Sequence, residues 1–337
     1  MAKTVLFYSS VSNKDLFKTQ KFYQTDIAIL KKMGYNVLLS NKIHDALKFY
    51  RYDFVFAYFY RKSFFVALIA RLYNKNTYFT GGIDDLDKDY ASRKRYLIQS
   101  IFFKLCYALS KSCIIVSQSD LHNIKRLYKR DTILSKLKYS EHTIDTEKYC
   151  YNGDKELIFT TIAWMGDPEN VRRKGVDIAI KLFACIHRDP DFKNAKFYII
   201  GRHGEGTQIV KYLIDQYNLW DSVQLTGEIS EEEKIRYLQR SKYYFQLSLY
   251  EGFGVAALEA LCANNIVIHS GKGGLSNNIF KSGILFNIDS DFDSEYTKLI
   301  QSIKSFKQHN LTVTSKCICD KYSNNRREND FISMIKE

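Results

Sequence analysis

The sequence predicts an α/β chain built from two doubly wound, Rossmann-like parallel-sheet domains. Three observations lead there: short apolar runs rich in β-branched and aromatic residues, helical periodicity between them, and a restart of the same pattern near residue 150. A length of 337 residues suits two such domains better than one. At 45% hydrophobic and 26% charged residues, the chain can bury a core and is not disordered.

In the first half, KTVLFYS (3–9) reads as a strand, and Tyr23, Ile27 and Leu30 then recur at helical spacing until Gly34. YNVLLS (35–40), DFVFAYF (53–59) and NTYFTG (76–81) read as further strands, and a helix over 93–109 precedes strand SCIIVS (112–117). In the second half the strands are ELIFTTIA (156–163), KFYIIG (196–201), VQLTG (223–227), YYFQLSL (243–249) and IVIHS (266–270). Helices are expected through Val176, Ile180 and Phe183, through Ile235 and Leu238, and over VAALEALCA (255–263). Strands alternating with helices imply parallel sheets covered on both faces. The expected domains are 1–150, 151–315, and a helix over 316–337 returning to the first domain. The two sheets are expected to face a central cleft at the C-terminal ends of their strands, where open α/β sheets bind ligands.

The net charge of +13 is confined to one half: residues 1–150 hold 26 Lys and Arg against 13 Asp and Glu, and residues 151–337 hold 24 of each. Clusters at Arg93-Lys94-Arg95, Lys125-Arg126 and Lys129-Arg130 interleave with Tyr96, Phe102, Phe103, Tyr107 and Tyr128. The aromatics read as a core-facing stripe, the charge as attraction to an anionic bilayer or a lipid-diphosphate acceptor. Nucleic acid is disfavoured because no recognition module accompanies the charge. Apolar runs at 54–60 and 64–70 fall well short of the roughly 18 residues of a membrane span. The expectation is a cytoplasmic protein, peripheral on the inner face of the cell membrane. Seven scattered cysteines, with Cys317 and Cys319 spaced C-x-C, read as incidental thiols in a reducing compartment, and no metal site is expected.

Several chemistries lack their signatures. There is no G-x-x-x-x-G-K-[ST], no G-x-G-x-x-G after the first strand, no G-x-S-x-G and no H-E-x-x-H. The densest signal is Glu251-Gly252-Phe253-Gly254-Val255-Ala256-Ala257-Leu258-Glu259, in which a strand ends, glycines make a loop and a helix begins. Glycines admit backbone N–H groups close to a ligand and a helix start adds positive potential, which together suit a diphosphate. Glu259 falls about 6–8 Å along the helix, within reach of ribose hydroxyls, and Glu251 precedes the helix, facing the group beyond the far phosphate. Arg172-Arg173-Lys174-Gly175 reads as the close of a polar loop at the same sheet edge, with cations suited to a leaving diphosphate. Gly201-Arg202-His203-Gly204-Glu205-Gly206 and Gly271-Lys272-Gly273-Gly274 add further flexible loops. Asp84, Asp85, Asp87 and Asp89 read as a solvated acidic loop rather than a metal site, with Asp84 a candidate to face the acceptor. His44, His122, His142, His187 and His309 show no partner pattern.

RKGVD, the strand ending IIG, LTG, YEGFGVAALEAL and the GKGGL loop stand in the order and spacing of the retaining glycosyltransferases of family 4, which have the GT-B fold, and the chain resembles them over about residues 155–290. SCIIVSQSDLHNI and IDTEKY are similar to that family's strand–helix and interdomain segments. The resemblance implies a UDP- or GDP-sugar donor held by the second domain and a glycan or lipid-linked saccharide acceptor. It implies catalytic Lys174, Arg173 and Glu251, the lysine on the diphosphate and Glu251 on the sugar hydroxyls. It further implies a donor cradle of Arg172, Gly201, Arg202, Gly227, Gly252, Phe253, Gly254, Val255 and Glu259, the last on the ribose, and no cofactor or obligatory metal. The chain departs from the family pattern in four places. Ile162-Ala163-Trp164-Met165 lacks an arginine, Ser9-Ser10-Val11-Ser12 replaces a glycine pair, no histidine stands near Thr80-Gly81-Gly82, and Asn277 replaces a glutamate. Two other readings share the fold: a catalytically impaired partner that binds nucleotide sugar or scaffolds another transferase, and a sugar-nucleotide epimerase.

Overall fold

The computed structural model describes every residue except 1, 129–133, 280–281, 307 and 336–337, and only the backbone of 278 and 308–314. Lys129, Arg130 and the side chain of His309, singled out above, lie outside the described residues. The chain forms two units, Met1–Ile144 with Ser323–Glu337, and Asp145–Tyr322. The divisions therefore fall at 144/145 and 322/323 rather than at 150 and 315.

In the first unit, β1 (Thr4–Ser9), β2 (Asn36–Ser40), β3 (Phe54–Tyr58), β4 (Asn76–Thr80), β5 (Ser112–Ile115) and β6 (Leu137–Tyr139) form one parallel sheet in the order β2-β1-β3-β4-β5-β6. The helices are α1 (Leu16–Thr19), α2 (Lys21–Lys32), α3 (Ser63–Leu72), α4 (Arg93–Leu109), α5 (Gln118–Tyr128) and, from the chain's end, α15 (Asn324–Ile335). The inner strands β1, β3, β4 and β5 are almost wholly buried because both faces are covered, while the edge strands β2 and β6 stay partly exposed. Val5, Phe7, Phe54, Phe56 and Ile114 face one core with α2 and α15, while Leu6, Tyr8, Val55, Ala57 and Cys113 face the other. Of the aromatic stripe, Phe103 and Tyr107 are buried in that second core with Cys106; Tyr96 and Tyr128 pack partly against it, and Phe102 lies half-buried beside Phe64 and Phe65 instead. The apolar run at 64–70 is α3, and its Val66, Ala67 and Ala70 join the same core.

A fully buried ion pair helps to hold α15. Arg327 donates from Nε to Asp26 Oδ1 at 2.6 Å and from Nη2 to Asp26 Oδ2 at 2.8 Å, and both side chains are fully buried. Its Nη1 donates to the carbonyls of Ser140 and Glu141, so most of the guanidinium's donors are matched.

The second unit repeats the plan with β7 (Glu156–Ile162), β8 (Lys196–Ile200), β9 (Val223–Gly227), β10 (Ser241–Gln246), β11 (Ile266–His269) and β12 (Ile284–Leu285), in the order β12-β11-β10-β7-β8-β9. Its helices are α6 (Thr146–Tyr149), α7 (Pro168–Arg173), α8 (Val176–His187), α9 (Thr207–Gln216), α10 (Glu231–Arg240), α11 (Val255–Cys262), α12 (Leu275–Asn278), α13 (Phe292–Ser305) and α14 (Gln308–Lys321). Val176, Ile180 and Phe183 of α8 pack on Phe159, Phe197 and Phe245 of the strands. The chain lays down β7, β8 and β9 outward, then crosses back to place β10 on the other side of β7. The β7/β10 boundary is therefore the topological switch point, where parallel α/β sheets open a crevice beyond their carboxyl ends. No helix among the described residues is long and apolar enough to cross a membrane.

Candidate donor site of the second unit

The residues beyond β7 and β10 are stitched together. The RRKG segment is not the polar loop expected from the sequence: Arg172 and Arg173 close α7, which Asp167 starts by accepting the Asn170 amide and which carries Pro168 in its first turn. Asp-Pro is a readable helix start, and that signal could have corrected the expectation. α7 aims its last turn at the end of β10, where the Leu249 amide donates to the Arg173 carbonyl at 2.8 Å. Gly175 has φ +65°, and a Cβ there would sit 1.9 Å from the Leu247 carbonyl oxygen, so only glycine lets the turn dock this closely.

That docking brings Lys174 Nζ to 2.6 Å from Glu251 Oε1. The same oxygen accepts from Ser248 Oγ at 2.8 Å and Gln246 Nε2 at 2.9 Å. Burial would raise the Glu251 carboxyl, but Lys174, the Ser248 hydroxyl and Arg173 outweigh it and hold the group below the ordinary carboxylate range. Gln246 and Ser248 were missed in the sequence, although their alternation at a strand end points them to one side. Arg173 is half-buried, its Nη2 on Asn170 Oδ1 at 2.8 Å, while Arg172 and Arg202 are exposed.

Gly254, at φ +87°, caps α11 without a side-chain bond, so the first-turn amides of Val255 and its successors have no intrahelical acceptor. Gly252 is half-buried and Phe253 buried, its ring edge-on to Tyr322 at 5.8 Å. The 271–274 loop closes over this turn: the Gly274 amide donates to the Glu251 carbonyl at 2.6 Å, and a Cβ on Gly273 would lie 2.3 Å from the same oxygen. Asn277, in the adjoining α12, is exposed. On the other side of β7, Gly201 at φ +148° abuts the Ala163 carbonyl and its amide donates to Gly227, while the Met165 amide donates to Arg202. Trp164, where the family pattern has an arginine nearby, is 56% exposed.

Glu259 is only 2% exposed and already engaged. Lys234 of α10 lies 3.0 Å from its Oε2 and 3.0 Å from Glu231, and the buried Tyr149 hydroxyl bonds Glu231 and interacts with Glu259. Burial raises the Glu259 carboxyl above its usual range, with Lys234 pulling against it. Neither Lys234 nor Tyr149 carries a sequence signal, being 25 and 110 residues from Glu259 in the chain.

The remaining candidates lie elsewhere. Asp84 is half-buried in the first unit, beside the fully buried Asp120, whose carboxyl is pushed well up by burial and by the charges of Asp84 and Asp87. The acidic loop is not simply solvated: Asp85 pairs with Arg61 and Arg95, and Asp87 accepts the amides of Asp89 and Tyr90. A polar groove of about 620 Å³ in that unit is lined by Ser12, Asn13 and Lys14 after β1 and by Asn41, Lys42, His44, Asp45 and Lys48 after β2, and Asp84 is not part of its lining. His187 is structural, bridging the Phe192 carbonyl and the Ser222 hydroxyl. Cys319 has Cys150 at 2.9 Å and Cys262 at 3.1 Å, a juxtaposition of thiols that their spacing in the chain does not announce.

Residues 169–312 match the family model described as glycosyl transferases group 1. A curated relative, the GDP-mannose:cellobiosyl-diphosphopolyprenol alpha-mannosyltransferase of Xanthomonas campestris, is 30% identical over 137 residues, 40% of this chain and 35% of the relative. A putative glycosyltransferase 41 of Sulfolobus islandicus filamentous virus is 33% identical over 26% of this chain and 25% of its own length. The chain thus matches about a third or less of the curated relatives' length. Among solved structures, Anabaena HepE with UDP and glucose superposes with a TM-score of 0.76 at 14% identity, covering 99% of both chains. Sucrose-phosphate synthase of Thermosynechococcus elongatus superposes with a TM-score of 0.75 at 13% identity over 99% and 98%. The fold is therefore that of the GT-B glycosyltransferases, and the stretch bearing Lys174 and Glu251 is the one that matches the glycosyl transferases group 1 family.

Proposed function

We propose that this protein is a hexosyltransferase that moves a hexose from a UDP- or GDP-sugar to a cell-surface glycan or lipid-linked saccharide, with retention of anomeric configuration. The observation that carries the reading is the Lys174–Glu251 contact at the β7/β10 switch point, beside the uncapped start of α11. Lys174 and Arg173, with the first-turn amides of α11, take the donor diphosphate and stabilise the charge that grows on it as it leaves. Glu251, kept ionised by the same lysine, accepts hydrogen bonds from the sugar hydroxyls. Glu259 takes the ribose hydroxyls in exchange for part of its Lys234 and Tyr149 contacts. The anomeric carbon's bond to phosphate oxygen breaks, its bond to the acceptor oxygen forms on the same face, and the acceptor proton passes to the departing diphosphate. No metal or cofactor is required, because two cations and a helix start supply the positive potential. Asp84 is the acceptor-side candidate, and the basic first unit favours an acceptor at an anionic membrane surface.

Support for the donor comes from the matched mannosyltransferase, whose name specifies GDP-mannose and a diphosphopolyprenol, and from HepE structures holding UDP and UDP-glucose. The test is incubation of purified protein with a panel of nucleotide sugars and acceptor extracts, scoring nucleoside diphosphate release. Release that falls by two orders of magnitude or more, at about 2.7–4 kcal/mol of transition-state stabilisation, in both Lys174→Ala and Glu251→Ala supports the assignment. Unchanged release removes those roles. Donor binding by calorimetry without turnover on any acceptor pool replaces this reading with that of a catalytically impaired partner.

A further inference from the structure

Two neighbouring helices of the first unit, α3 and α4, bury one side and leave a second apolar line in water. On α4, Leu97, Ile101 and Leu105 recur every fourth residue and so share a face opposite the buried Phe103, Cys106 and Tyr107. On α3, Phe65, Leu68 and Leu72, spaced three and four residues apart, likewise share a face opposite Val66, Ala67 and Ala70. All six are between 40 and 74% exposed. The helices adjoin, since the Phe102 ring lies 5.9 Å from Phe64 and 6.4 Å from Phe65. Scattered exposed leucines mean little, but two aligned rows on touching helices make one patch, and such patches mark an interaction surface.

The charges around the patch say what covers it. α3 and α4 carry Arg71, Arg93, Lys94, Arg95 and Lys104, and not one Asp or Glu. Arg95 is closed off by Asp85, but Arg71, Arg93, Lys94, Lys104 and the preceding Lys62 form no ion pair among the described residues. An apolar row edged with free cations is the pattern of a helix lying in the interface of an anionic bilayer, apolar side chains among the acyl chains and cations at the headgroups. A second copy docking through the same face would set like charges against one another. We infer that α3 and α4 form a docking surface that inserts Phe65, Leu68, Leu72, Leu97, Ile101 and Leu105 into an anionic lipid bilayer. This inference is independent of the proposed reaction, and its test uses no donor or acceptor.

The test is flotation of the full chain with phosphatidylcholine vesicles with and without phosphatidylglycerol, at low and high salt. Binding is expected on the anionic vesicles, weakened by salt and much lower on pure phosphatidylcholine. Lys94→Ala/Lys104→Ala should weaken partitioning about thirty-fold, from about five-fold per cation. Leu97→Ser/Ile101→Ser should weaken it about ten-fold or more. Lys193→Ala/Lys211→Ala in the second unit should change nothing. Should the apolar variant fail to fold by circular dichroism, the cation variant and the salt dependence still decide. No flotation, equal flotation on both vesicle types, or unchanged partitioning of the cation variant overturns the inference. So does a dimer in sedimentation that these variants dissociate, which would assign the face to a second copy.

Discussion

Replacing Lys174 by methionine tests the site at its centre, because it removes a charge while keeping most of the side chain's bulk. Glu251 then keeps the Ser248 and Gln246 bonds but loses its cation, with its side chain only 11% exposed. Breaking a fully buried pair costs about 3–5 kcal/mol. Lys174 is 22% exposed, so water partly compensates and about 2 kcal/mol is the reasoned loss. That corresponds to a fall of roughly 4–8 °C in the melting temperature of a unit this size. The effect has a pH signature. In the wild type the folded Glu251 carboxyl is depressed, so its contribution is present above the ordinary value of 4.5 and is lost as pH falls through the folded value. In the variant, burial is still opposed by the Ser248 hydroxyl and Arg173 but no longer by Lys174, so the carboxyl rises and the stability it adds above pH 4.5 is lost. The gap between the two proteins should therefore be small near pH 4 and widest at pH 7–8. Adding Glu251→Gln should recover most of the loss, since no unpaired charge stays buried. Thermal melts of the three proteins across this pH range are the assay. A gap that is constant with pH, or a double variant no better than Lys174→Met, would refute the reasoning.

Gly175→Ala should cost about 3 kcal/mol or more by thermal melt, since its φ is +65° and the new Cβ would lie 1.9 Å from the Leu247 carbonyl oxygen. Arg327→Met should destabilise the first unit by about 3–5 kcal/mol in urea titration, leaving the buried Asp26 carboxyl without its cation and with the Tyr58 hydroxyl as its remaining side-chain hydrogen-bond donor among the described residues. Asp120→Asn should stabilise: the wild-type carboxyl is raised, so its stability is full below the ordinary value of 3.8 and lost as pH rises toward the folded value. The variant's advantage in melting temperature should accordingly be greater at pH 8 than at pH 4.5. An advantage that shrinks with pH would exclude the burial of a charge there.

Local patterning carried much of this protein. A parallel strand covered on both faces must be apolar along its length, so β1, β3, β5, β7, β8 and β10 stand out in the sequence as continuous runs. Glycine at a left-handed turn before a run of good helix formers located Gly254 and α11 for the same kind of reason, because backbone geometry limits which residues can stand there. α7 was legible too, in Asp167-Pro168, but the density of charge after it suggested a loop. What patterning could not carry was partnership. That Lys174 meets Glu251, that Lys234 and Tyr149 enclose Glu259, and that Arg327 joins Asp26 across 301 residues of chain depend on the order of strands in each sheet. Ion pairs and hydrogen bonds act over a few ångströms and leave no periodic trace, so only the folded chain decides them. The exposed rows of α3 and α4 belong to the same class: apolar periodicity shows that a helix has a greasy side, and packing alone decides which of its apolar residues find the core.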